Sequence, residues 1–90
     1  MKRRIAAAFE LPKDVVLDLP LIYMIGDEEL VVSNHKGIVG YIREMVRIKT
    51  AIGVVAVLGR DLVLREISKE NIVIIGKIGG VEIRDGRQEV

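Results

Sequence analysis

The chain has 90 residues, with fourteen Lys and Arg against thirteen Asp and Glu, one His and no Cys. That length holds one core, and 50% hydrophobic with 30% charged residues excludes a disordered chain. A net charge of +1 gives no general attraction to polyanions, and the missing Cys removes disulfides, thiolate zinc sites, iron–sulfur clusters and cysteine nucleophiles together.

In chain order, the first element is a basic, helical segment over residues 1–11, where Ile5, Ala8 and Phe9 share a face and Pro12 ends the helix. Met1-Lys2-Arg3-Arg4 followed by Ile5 to Phe9 imitates the start of a signal peptide, but Glu10, Pro12 and Lys13 cut the apolar part short. No run is long enough to cross a bilayer as a helix. A cytoplasmic protein is expected. The segment either frays, docks on the rest of the chain, or folds on a partner or an anionic lipid surface through Lys2, Arg3 and Arg4.

Residues 12–90 read as a single β domain. Thirteen Val and thirteen Ile supply β-branched side chains suited to a pleated surface. Strands are expected at Val15–Leu19, Leu21–Ile25, Leu30–Ser33, Ile38–Ile42, Met45–Thr50, Val54–Leu58, Leu62–Ile67, Ile72–Lys77 and Val81–Arg84, with Gly26, Gly37, Gly53, Gly59, Gly76 and Gly79-Gly80 marking the breaks. Connections such as Asn34–Gly37, Gly59–Asp61 and Ser68–Asn71 are too short for helical crossovers, so neighbouring strands run antiparallel.

Met45 to Lys49 alternates, with Val46 and Ile48 toward the core and Arg47 and Lys49 toward water. Val54–Leu58 and Ile72–Ile75 are apolar on both faces, which fits either central strands or strands that present a second apolar surface. A faint repeat joins Ile25-Gly26, Ile42-Arg43, Leu58-Gly59 and Ile75-Gly76. A short β-solenoid or a meander of hairpins produces such spacing, and the polar turns favour hairpins. The fold expected is all-β, a small antiparallel sandwich or flattened barrel.

The inventory of reactive side chains is thin. His35 lies in the polar Asn34–Gly37 turn and reads as a hydrogen-bonding turn residue. Asp27-Glu28-Glu29 lacks the ligand spacing of a calcium loop, Ser33, Ser68 and Thr50 lack a nucleophile's setting, and the glycine-rich stretches precede strands instead of a helix. No cofactor, metal or small-molecule substrate is expected, and no enzymatic activity. The rival reading is a small nucleic-acid-binding barrel, resting on Arg43, Arg47, Lys49 and Arg65; with only Phe9, Tyr23 and Tyr41 aromatic, it lacks a stacking platform. Two Asn, one Gln and no Cys beside many charges fit a thermophilic source.

The run Leu11-Pro12-Lys13-Asp14-Val15-Val16-Leu17-Asp18-Leu19-Pro20, then Ile25-Gly26, then Asn34-His35-Lys36-Gly37-Ile38, resembles the YqfC branch of the YabP/YqfC sporulation protein family. Ile48-Lys49-Thr50, Gly53, Leu58-Gly59, Leu62-Val63-Leu64 and Ile72 to Ile78, ending in Val81-Glu82-Ile83, continue the likeness over residues 11 to 84. Ser33 and Arg84 depart from it, standing where an acidic and an aromatic residue are usual. The resemblance implies a mother-cell protein of endospore-forming bacteria, needed for spore envelope or coat development. It implies no catalytic residues, and it makes a membrane-bound YqfD-like sporulation protein the expected partner.

A non-enzymatic interaction module follows, docking a protein partner through sheet edges or faces. The edges expected are Val15–Leu19 and Val81–Arg84. The contact residues expected are Asn34, His35, Lys36, Gly37, Val81 and Ile83, and a homo-oligomer formed through the same edge is a further expectation.

Overall fold

A computed structural model describes residues 18–85. They form six strands: β1 (Leu21–Ile25), β2 (Glu29–Ser33), β3 (Ile38–Ile42), β4 (Met45–Thr50), β5 (Gly53–Ile67) and β6 (Asn71–Arg84). All pair antiparallel in one sheet of order β1-β2-β6-β5-β4-β3. Four of the five connections are hairpins between hydrogen-bonded neighbours, which makes those pairs antiparallel; the fifth, Asn34–Gly37, passes from β2 to β3, which have β6, β5 and β4 between them in the sheet order.

The all-β antiparallel expectation therefore holds, with two corrections. In place of two separate sheets or a closed barrel, the described strands make one continuous open sheet, with β1 and β3 at its ends and not paired with each other. A solenoid is excluded among the described residues, since its coils would pair parallel. The amino-terminal helix expected at residues 1–11 lies outside the described residues, as does most of the strand expected at Val15–Leu19. Asp18 and Leu19 are described and belong to no strand, Asp18 having φ 58°.

Gly59–Asp61 and Gly79-Gly80, read as turns, instead lie within β5 and β6. β5 and β6 pair along their lengths, with irregularities between Leu58 and Gly59, Arg60 and Val63, and Leu64 and Glu66. Such bulges bend and twist a strand without ending it. Glycine is required at these irregularities: a Cβ at Gly59 would collide with the Lys77 carbonyl oxygen, and one at Gly76, with φ +136°, would stand 2.6 Å from that of Asp61.

The bends let each long strand serve both halves of the sheet. β2 pairs with Asn71–Ile75 of β6, and β4 pairs with Gly53–Leu58 of β5. The two halves correspond: Leu30 faces Ile74 and Val32 faces Ile72 in one, while Val46 faces Val57 and Ile48 faces Val55 in the other. These eight side chains, with Leu62 and Ile78, form a single core cluster, so the halves turn their inner faces toward each other. The correspondence extends to the backbone. The β3–β4 turn accepts hydrogen bonds at Glu44 O from Gly59 N–H (3.0 Å) and at Arg43 O from Leu62 N–H (2.9 Å). The β1–β2 turn accepts them at Glu28 O from Gly76 N–H (3.1 Å) and at Asp27 O from Ile78 N–H (2.8 Å). The faint repeat in the sequence is this approximate two-fold relation.

Candidate interaction surface

Asn34 to Gly37 link β2 to β3 and lie at a three-way junction. Asn34 adopts φ 60°, a left-handed conformation that Asn tolerates better than most residues. Its amide Nδ2 donates to Asp18 Oδ1 (3.1 Å) and to Leu19 O (3.0 Å), and its backbone N–H donates to Glu70 O (2.8 Å). Lys36 Nζ forms an ion pair with Asp18 at 2.9 Å. This bond first, and that from Asn34 second, hold the Asp18 carboxyl below its ordinary value of 3.8.

His35 completes the junction. Gly37 N–H donates to its Nδ1 (3.0 Å), so Nε2 carries the proton and donates to Ser68 O (2.9 Å). In the β5–β6 turn, Ser68 N–H donates to Asn71 O (2.8 Å) and Asn71 N–H to Ser68 Oγ (3.0 Å), while Ser33 Oγ donates to Asn71 Oδ1 (2.6 Å). The Asn34–Gly37 turn thus spends its hydrogen-bonding groups inside the chain, fastening the lead-in to β1 and the β5–β6 turn. Sequence reasoning missed Asp18, Ser68 and Asn71 as members. The Ser-x-x-Asn spacing of the turn was the available signal.

Val81 and Ile83 lie elsewhere. Along one row, Ile38 pairs with Ile48, Ile48 with Val55 and Val55 with Ile83, placing three strand spacings, about 14 Å, between the ends. The six candidate contact residues therefore make no single patch. Val81 packs against the core, whereas Ile83 is 55% exposed. In the described pairings Val81–Arg84 bond to β5 alone, so this stretch is an edge, as expected. Most of the other expected edge, Val15–Leu19, lies outside the described residues; among those described, β1 ends the sheet.

The exposed apolar side chains concentrate on the open strands. β1 presents Leu21, Tyr23, Met24 and Ile25; β3 presents Val39, Tyr41 and Ile42; the second half of β5 presents Val63 and Ile67. On β1, Leu21, Tyr23 and Ile25 point away from the core, beside Val31 and Val73, which are buried yet stand outside the core cluster. An apolar band therefore runs across the outer face of this half, bounded by the Arg65–Glu29 ion pair (2.8 Å). At the β1–β2 turn Lys77 bonds Asp27 and holds its carboxyl below the ordinary value, by the hydrogen bond first and the charge second.

The basic residues do not gather. Arg47 and Lys49 point outward from β4, and the Arg47 guanidinium lies so close over Gly40 that a Cβ there would stand 2.8 Å from it. Arg65 sits on the other half, with Glu29. Among the described residues no three His, Asp or Glu side chains converge as a metal site would need, and no helix is long and apolar enough to cross a membrane.

The YabP family matches residues 20–90 of the chain. A curated relative, the uncharacterized protein YqfC of Bacillus subtilis (strain 168), is 33% identical over 78 residues, which span 87% of this chain and 84% of that protein. No solved structure matches. The family covers all six strands, both open edges and the Asn34–Asn71 junction, and the chain belongs to the YabP family.

Proposed function

We propose that this protein is a non-enzymatic interaction module of sporulation, acting in the mother cell during spore envelope or coat development. The YabP/YqfC family is sporulation-related. The observation that carries the mode of action is structural. Large apolar side chains are exposed along open strands, where unpaired backbone groups accept an added strand and alternate side chains select it. The partner is a protein, and a YqfD-like membrane protein is the one that the family suggests. It docks at the Val81–Arg84 edge, where Ile83 is the exposed apolar contact.

Co-expression with the YqfD-like protein of the same organism tests this. The chain is expected to co-purify with that protein in detergent, and Ile83→Lys, at an exposed position, is expected to abolish retention while leaving the purified chain folded by circular dichroism. Retention of the variant at the wild-type level would overturn docking through this edge.

A further inference from the structure

We propose that β1 is a self-association edge, at which two copies of the chain pair their β1 strands antiparallel about Tyr23 into one continuous sheet. The proposal extends the reading of the protein as an interaction module to a second surface, distinct from the Val81–Arg84 edge.

Edge strands in stable proteins are normally guarded by charges, prolines or bulges. β3 has a register irregularity between Ile38 and Gly40 and carries Arg47 against Gly40. Its Tyr41 is tied by its hydroxyl to Leu62 O at 2.5 Å. The second half of β5 carries Arg65 and Glu66, and the last part of β6 carries Glu82 and Arg84. β1, Leu-Ile-Tyr-Met-Ile, has no charge, no proline and no irregularity in its pairing with β2. Among the described open strands it alone lacks any such guard.

The occupant follows from the two faces of β1. Leu21, Tyr23 and Ile25 point outward, and Ile22 and Met24 inward beside Val32 and Leu30. Antiparallel pairing about Tyr23 sets Leu21 against Ile25 of the second copy, Tyr23 against Tyr23, and Ile22 against Met24. Each contact is apolar on apolar, on both faces. An added strand bearing a charge would leave it unpaired against these rows, which a copy of β1 does not do. Met24, 42% exposed although it points inward, would gain a cover from Ile22 of the second copy. The net charge of +1 offers little repulsion to a second copy.

Area sets the strength expected. Four side chains of roughly 200 Å² each, about half exposed, cover about 400 Å² per copy, against about 800 Å² per partner in a standard stable interface. Dissociation on dilution through the micromolar range is therefore expected.

The absence of Cys allows a direct test by single-cysteine cross-linking of the full chain under mild oxidation. Opposed residues in an antiparallel pair have Cα atoms about 4.5–5.5 Å apart, within disulfide reach, whereas residue 21 of each copy would lie more than 10 Å from its counterpart. Tyr23→Cys is expected to form a covalent dimer at least tenfold faster than Leu21→Cys or the β3 control Val39→Cys. Light scattering across a dilution series is expected to show the wild-type dimer, and Met24→Lys is expected to raise its dissociation midpoint at least tenfold. A wild-type chain monomeric at the highest concentration, or equal cross-linking at positions 21, 23 and 39, would overturn the proposal. Either result leaves the Ile83-dependent co-purification as a separate test of partner docking.

Discussion

At the residue scale, the fold depends on a few positions whose chemistry is unforgiving. Gly59 and Gly76 sit at the irregularities in the β5–β6 pairing, and a methyl group at either meets a carbonyl oxygen far inside contact distance. Gly59→Ala and Gly76→Ala are each expected to cost about 3 kcal/mol or more in denaturant unfolding, because backbone has to move to accept the carbon. Gly26, with φ +57° but nothing within 4 Å of its Cβ position, separates conformation from space: Gly26→Ala is expected to cost about 1 kcal/mol from backbone strain alone. The sequence marked these glycines as breaks, and this was right for Gly26 and wrong for Gly59. Close packing of two backbones and a tight turn both demand a missing Cβ, so the residue type alone does not tell them apart.

Charge also acts at this scale. Asp18 and Asp27 are held below their ordinary value of 3.8 by Lys36 and Lys77 in the folded chain. A carboxyl with a depressed folded value contributes stability that is present above its unfolded value and lost as pH falls through the folded one. Unfolding midpoints followed from pH 6 down to pH 2 are therefore expected to fall below about pH 4, and the Asp18→Asn, Asp27→Asn double variant is expected to show a shallower fall. Both carboxylate side chains are more than half exposed, so the effect is small and shrinks in high salt.

At the element scale, alternation made most strands legible: Met45–Thr50 appears with Val46 and Ile48 buried, as its pattern required. The runs apolar on both faces resolve into the two long strands. Val55 and Val57 face the core while Ala56, equally buried, stands outside its cluster; Ile72 and Ile74 face the core while Val73 does not. What alternation does not encode is continuity. A bulge interrupts the period as a turn does, so Val54–Leu58 and Leu62–Ile67 looked like two strands where there is one. The Asn34–Asn71 junction was illegible for another reason, being made by segments distant in the chain. Asn71→Ala removes the Oδ1 that accepts from Ser33 Oγ while keeping the backbone bonds of the turn to Ser68, and about 1 kcal/mol of destabilisation is expected, measured by urea unfolding. Leu30→Ala, in the fully buried row of β2, is expected to cost about 2–5 kcal/mol in the same assay.

At the scale of the whole molecule, the protein is a sheet bent about its two longest strands, with inner faces sealed against each other and outer strands left open. The sequence made the apolar surplus visible in its Val and Ile content but not its distribution, since exposure depends on which strands end up at the rim. The Asn34–Gly37 turn, expected as a partner contact, spends its polar groups on holding the lead-in to β1 and the β5–β6 turn in place. Val81 is part of the core's flank, which leaves Ile83 as the apolar handle of that edge.

The most direct measurement is made in the protein's own host: the count of heat-resistant spores in strains carrying the wild-type gene, a deletion, or the Ile83→Lys allele, with protein levels checked in each. The account predicts that Ile83→Lys accumulates normally yet lowers the count to the level of the deletion. A full spore count from that allele, or no loss on deletion, would contradict it.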